Sequence, residues 1–245
     1  MAQDKKVALV TGANRGIGFE TAKQLGEKGI TVVVGARKLA DATKTAEKLE
    51  GEGIDAYGVQ LDVTSEKDRS AAVKFVAEKF GKLDILVNNA GIASSDGMAS
   101  RTSDVPLEAL QHVYQTNLFS VVAVTHEFLP LLKKSPAGRI VNLSSILGSL
   151  TLHADPKSPI AGFKNFAYNS SKSALNAYTI HLAAELKGTH IKVNSAHPGW
   201  VKTELGTDAA PLEVPEGAKT SVDLALIGPD GPNGRFIHLG QEPPW

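Results

Sequence analysis

Short apolar runs rich in β-branched residues alternate along this chain with longer segments whose apolar positions recur at helical spacing. Val7 to Val10 reads as a buried strand, and Gly16 to Lys28 as a helix ending near Gly29. Thr31 to Val34 is a second strand, followed by a polar helix from Leu39 to Glu52. Tyr57 to Leu61 is a third strand. Ser65 has the character of an N-cap for a helix from Glu66 to Phe80, closed by Gly81. Ile85 to Val87 is a fourth strand. Leu107 to Lys134 reads either as one bent helix or as two helices meeting near Thr116. Arg139 to Leu143 and Ile191 to Ala196 are further strands, with a helix from Tyr168 to Lys187 between them. Gly217 to Leu226 reads as a helix and Arg235 to Leu239 as a last strand.

Apolar strands without alternation, bounded by glycines and separated by helices, predict a parallel sheet covered on both faces. Right-handed crossovers then favour a doubly wound α/β sheet of about seven strands. A TIM barrel needs eight strand–helix units and usually more chain. No segment has linker composition and no unit of roughly 20–50 residues repeats, so residues 1–245 are expected to form one domain.

Composition narrows the function classes. The chain is 42% hydrophobic and 21% charged, the profile of an ordinary globule. Lysines and arginines number 26, as do acids, and the zero net charge argues against nucleic-acid binding by bulk electrostatics. The absence of cysteine removes disulfides, thiolate zinc sites, iron–sulfur ligation and a cysteine nucleophile. The seven histidines show no H-E-x-x-H spacing, so no metal site is expected. No run approaches the roughly 18 apolar residues of a membrane span. Met1 to Lys6 is polar and leads straight into the first strand without an apolar signal core, so a cytoplasmic protein is expected. Two Asn-x-Ser matches, at Asn142 and Asn169, read as chance.

The loop Thr11-Gly12-Ala13-Asn14-Arg15-Gly16-Ile17-Gly18 joins the first strand to the first helix. Glycines there let the backbone approach a pyrophosphate whose charge sits at the helix N-terminus, the arrangement of a dinucleotide-binding Rossmann fold. Gly12, Asn14, Arg15, Gly16, Ile17 and Gly18 are therefore candidate cofactor-binding residues. An acid at the end of the second strand would hold the ribose hydroxyl of NAD. Here that position reads Gly35-Ala36-Arg37-Lys38, and Asp41 lies a turn into the next helix. Arg37 and Arg15 could clamp a 2′-phosphate, which an acid would repel, so NADP is expected rather than NAD.

Three further motifs follow in order. Asn88-Asn89-Ala90-Gly91 follows the fourth strand, Ser144-Ser145 the fifth, and Tyr168-Asn169-Ser170-Ser171-Lys172 opens a helix. With Thr11–Gly18, this set resembles the short-chain dehydrogenase/reductase family in its shorter form, over essentially the whole chain. Asn142-Leu143-Ser144-Ser145-Ile146, the extended gap before Tyr168, and His197-Pro198-Gly199-Trp200-Val201-Lys202-Thr203 resemble its carbonyl-reductase branch. The resemblance implies an NADPH-dependent oxidoreductase that reversibly reduces a small-molecule ketone or aldehyde to its alcohol. Tyr168 would be the acid/base, Lys172 would hold the nicotinamide ribose and lower the tyrosine pKa, and Ser145 would bond the substrate carbonyl. Asn117 would fix a water in the proton relay. Asp62 and Val63 would flank the adenine, and Asn88, Ala90 and Gly91 would line the cofactor. Pro198, Gly199, Val201 and Thr203 would contact the nicotinamide end. Hydroxysteroid and 3-oxoacyl-carrier reductases belong to the same family. Its non-catalytic NADP(H)-sensing members typically lose the tyrosine or the lysine, and both are present here.

The chemistry is consistent with those residue types. Carbonyl reduction needs a hydride on carbon and a proton on oxygen. A free tyrosine titrates near 10, and nearby positive charge can lower it at about 1.4 kcal/mol per unit. Lys172 lies at i+4 from Tyr168, on the same helical face. Ser144 and Ser145 leave a strand on opposite sides, so only one can face a cleft. No G-x-S-x-G supports a serine hydrolase. Asn117 could also brace a bend in the long helix, a role compatible with the relay, which would use the same bend. The segment from Thr151 to Phe166 is expected as a surface loop or short helix walling the pocket, and Glu204 to Pro215 as a second wall or lid. Related carbonyl reductases with a much longer insertion before the tyrosine are monomeric, because it covers a face that tetramers use; whether this chain is a monomer or a homo-oligomer stays open.

Overall fold

The computed structural model describes residues 5–93 and 101–245, so the first four residues of the polar start lie outside it. Its strands are β1 (Val7–Thr11), β2 (Thr31–Ala36), β3 (Ala56–Gln60), β4 (Ile85–Asn88), β5 (Arg139–Leu143), β6 (Lys192–Ala196) and β7 (Phe236–Ile237). Its helices are α1 (Gly16–Glu27), α2 (Leu39–Gly51), α3 (Glu66–Phe80), α4 (Leu107–Tyr114), α5 (Ser120–Leu132), α6 (Leu150–Ala154), α7 (Phe166–Glu185) and α8 (Val214–Ala225). The strands form one parallel sheet in the order β3-β2-β1-β4-β5-β6-β7. β1 pairs with β2 on one side and β4 on the other, so chain order reverses there and a crevice opens at the carboxyl ends.

The uninterrupted apolar strands are explained by two cores, one on each face. Leu9, Val33, Leu86, Ile140 and Val193 pack with Val76, Phe128 and Leu182 of α3, α5 and α7. Their strand neighbours Val10, Val34, Val87 and Val141 pack on the other face with Leu25, Leu49 and Val222 of α1, α2 and α8. Alternate residues on each strand therefore both meet helices.

α3 has the expected bounds: Ser65 Oγ accepts from the Asp68 amide at 3.3 Å, and Gly81 ends the helix in the left-handed region at φ 74°. The long helical stretch is continuous. α4 passes into α5 through a π-helical turn at Gln115–Phe119, and the widened turn carries the buried Asn117. The last strand is shorter than its apolar pattern predicts. Leu239 and Gly240 take positive φ, and His238 and Gln241 form an antiparallel bridge that turns the chain back. The insertion is short helix plus turns: α6, capped by Ser149 Oγ at 3.2 Å from the Leu152 amide, then a looped run in which Ile160 is buried. Among the described residues no helix is long and apolar enough to cross a membrane, and no cluster of His and acids could hold a metal ion.

Candidate active site

The glycine loop is held at the crevice by its neighbours. The Ala13 amide donates to the Gly35 carbonyl at 3.0 Å, pinning the loop to the end of β2. Arg15 and Arg37 each lie two residues beyond that contact, and both are exposed. Gly12 adopts φ +62°, and a Cβ on Gly18 would collide with Asn89 Nδ2 and the Gly12 carbonyl. These glycines leave bare backbone at the N-terminus of α1. Asn14 and Ile17 are partly exposed in the same loop. Asn89 braces the loop, donating from Nδ2 to the carbonyls of Thr11 (2.8 Å) and Gly12 (3.1 Å). Thr11 Oγ1 in turn accepts the amides of Asn89 and Ala90 at 3.0 Å.

Two expected cofactor contacts have side chains turned away from the crevice. Asn88 is 3% exposed, and its Nδ2 donates to Thr125 Oγ1 (3.1 Å) and Asn142 Oδ1 (2.9 Å). It sits under the sheet edge, tying β4 to β5 and α5. Val63 is buried in the core beside Leu61. Asp62 keeps its place at the end of β3, with Oδ1 accepting from the amide and hydroxyl of Thr64 at 3.0 and 2.7 Å. Sequence reading chose Asn88 over Asn89. Adjacent residues leaving a strand face opposite ways, which is the signal that separates the doublet.

The same rule separates the two serines. Ser144 Oγ donates to Asn176 Oδ1 at 2.6 Å in the interior. Ser145 heads a 3-10 turn, its Oγ accepting from the Leu147 amide at 3.2 Å, and its side chain lies beside the Tyr168 phenol. One turn along α7, Lys172 is 5% exposed; its Nζ lies 5.7 Å from the centre of the Tyr168 ring and donates to the Leu143 carbonyl at 2.7 Å. Burial without a carboxylate brings its pKa down to about 8. Gly91 faces this lysine: a Cβ there would stand 3.6 Å from Lys172 Nζ and 3.4 Å from Asn117 Oδ1.

The Tyr168 phenol is held above its ordinary value, because burial outweighs the opposing Ser145 hydrogen bond. Lys172 Nζ is held by the Leu143 carbonyl, one helical turn from the phenol. The Asn117 side-chain amide, carried on the widened turn, braces neighbouring segments. Nδ2 donates to the Ile92 carbonyl (2.9 Å) and Ser171 Oγ (3.0 Å), and Oδ1 accepts the Ile92 amide (2.9 Å). It ties the chain after β4 to α7.

The sequence model of the short chain dehydrogenase family matches residues 6–212. This chain belongs to that family. Carbonyl reductase (NADPH) 1 of Mus musculus is 33% identical over 284 residues, covering 100% of both chains. Among solved structures, NADPH-bound carbonyl reductase from chicken fatty liver superposes with a TM-score of 0.85 at 28% identity, covering 99% of this chain and 100% of that one. Salutaridine reductase from Papaver somniferum gives 0.81 at 33% identity, covering 95% and 99%.

In this short-chain dehydrogenase the remaining expected residues form a folded wall after β6. Gly199 takes φ +89° against the Leu212 side chain, and Val201 is buried and bridged to Leu212. Thr203 Oγ1 accepts the Gly206 amide at 3.1 Å, and Trp200 Nε1 donates to the Gly206 carbonyl at 2.6 Å. Pro198 leads into this turn. Glu204, at its tip, forms an ion pair with Arg15 of the glycine loop, and Lys202 pairs with Glu213. The insertion is anchored to the start of α7: Asn169 Nδ2 donates to the Phe163 carbonyl (2.7 Å), and Lys164 Nζ to the His153 carbonyl (2.9 Å).

Proposed function

We propose that this chain is an NADPH-dependent reductase of ketones and aldehydes, reversible toward the alcohol, with Tyr168 as proton donor. One observation carries the reading: the Tyr168 phenol lies beside the Ser145 side chain at the end of β5, with the buried Lys172 one helical turn away. The residues fit the dinucleotide. Bare backbone at Gly12, Gly16 and Gly18 suits a pyrophosphate, with Asn14 and Ile17 beside it. Arg15 and Arg37 at the end of β2 suit a 2′-phosphate. Asp62 and the backbone of Val63 would flank the adenine. Ala90, Gly91, Lys172 and the Pro198–Thr203 wall would hold the nicotinamide half. The mouse relative is named for NADPH, and the chicken structure holds it.

When bound, NADPH supplies the hydride to the carbonyl carbon. Ser145 donates a hydrogen bond to the carbonyl oxygen and holds it against the phenol. Tyr168 gives its proton to that oxygen, so the product is the alcohol. A phenol held above its ordinary value stays protonated at neutral pH, the form reduction needs. The tyrosinate left behind is stabilised by the nearby Lys172 cation. Lys172, with its pKa about 8, exchanges protons readily in the same range. Asn117 keeps α7 and the Gly91–Ile92 segment in register. The test is NADPH oxidation against a panel of ketones and aldehydes with chiral analysis of the alcohols. Carbonyl-dependent oxidation with one enantiomer in excess is expected; no oxidation with any member would overturn the reading.

A further inference from the structure

His197 stands between the end of β6 and the Pro198–Gly199 turn, and the chemistry above does not use it. Its ring is buried. Nδ1 accepts two backbone amides, that of Ile146 at 3.2 Å and that of Gly199 at 3.3 Å. Ile146 directly follows Ser145, and Gly199 opens the wall assigned to the nicotinamide end. One nitrogen thus joins the chain segments on either side of the reacting centre. Two donors sharing one lone pair make a three-centre contact, which accounts for both distances being long. Accepting them requires Nδ1 to be bare, so the ring proton resides on Nε2. His238 fixes the ring from the other side: the two rings are 4.6 Å apart, and His238 Nδ1 donates to the His197 carbonyl at 2.9 Å. Phe236 packs at 6.2 Å, and Trp245 stacks on Phe236 at 5.6 Å. Burial and the neighbouring His238 take the His197 pKa down to about 3, so the ring stays a neutral acceptor.

We propose that His197 is a positioning residue whose Nδ1 sets the Ser145 turn and the Pro198–Gly199 turn at a fixed separation. The proposal rests on the assignment of those two turns to substrate and nicotinamide. A side chain lacking an acceptor at the δ position leaves two N–H groups without a partner and lets the turns drift. Asparagine is the conservative replacement, because Oδ1 occupies the same branch position and has two lone pairs.

The test compares His197→Ala, His197→Asn and His197→Gln with the wild type. Amide hydrogen exchange at Ile146 and Gly199 is measured together with kcat and KM for a reducible carbonyl, per site counted by NADPH titration. His197→Ala is expected to speed exchange at both amides, raise KM and lower kcat/KM about tenfold. His197→Asn should restore both readouts. His197→Gln, whose acceptor lies one bond further out, should fold and yet behave kinetically like His197→Ala, which keeps the test decisive if the alanine variant does not fold. A merely structural role lowers the number of active sites and leaves per-site KM and kcat unchanged; that result, or unchanged exchange at both amides, overturns the proposal. If the wild type reduces no carbonyl, the functional reading fails, while the exchange measurement still decides the role of His197.

Discussion

Arg15 and Arg37 are the residues proposed to choose the cofactor, and their situations differ. Arg37 is exposed at the end of β2 with no carboxylate partner among the described residues, whereas Arg15 is paired with Glu204. A 2′-phosphate would therefore meet Arg37 directly and compete with Glu204 for Arg15. Arg37→Ala should weaken NADPH binding about ten- to a hundredfold, the loss of charge-assisted hydrogen bonds, and leave NADH nearly unaffected. Fluorescence titration of both nucleotides checks this, and equal wild-type affinity for NADH and NADPH would contradict the clamp. His197 makes a different prediction. Folded it titrates at about 3, against 6.5 when unfolded, so the unfolded chain holds the extra proton between those values. Stability is then full above about 6.5 and falls as pH drops toward 3. Urea unfolding from pH 7 to pH 4 should show that decline in the wild type and a shallower one in His197→Asn.

At the scale of elements, legibility followed locality. The bounds of α3 were readable because an N-capping serine and a left-handed glycine act within one turn of the chain. The bend near Thr116 was legible too, but not its form as a π turn, since that turn carries Asn117 to partners distant in sequence, Ile92 and Ser171; the shortness of β7 was missed because a tight turn through Leu239 and Gly240 breaks an apolar run with no β-turn signal before it. Strand alternation explains why Ser144 and Asn88 turn inward while Ser145 and Asn89 turn toward the crevice. The glycine loop gives the test at this scale. Gly18→Ala would push a Cβ into Asn89 Nδ2 and the Gly12 carbonyl, so it should cost about 1–3 kcal/mol of stability, as overpacking does. It should also weaken NADPH binding by spreading the turn. Thermal denaturation with and without NADPH reads both effects, and an unaltered loop in both would refute the close fit.

At the scale of the whole molecule, the parallel sheet reverses its order between β1 and β4 and delivers every proposed group to one edge. Tyr168 and Lys172 arrive there on α7, Ser145 from β5, the glycines from β1 and the arginines beside β2. In the proposed reading a neutral chain concentrates its working charge locally, in two exposed arginines and one buried lysine. Burial raises the pKa of the Tyr168 phenol and lowers that of the lysine beside it, so at neutral pH the proposed proton donor is protonated. The most direct measurement is kcat for carbonyl reduction by Tyr168→Phe, taken beside its NADPH dissociation constant. Loss of turnover by several orders of magnitude with NADPH binding within a few-fold of wild type is predicted, since only the proton-donating hydroxyl is removed. Turnover close to that of the wild type would contradict the assignment of Tyr168.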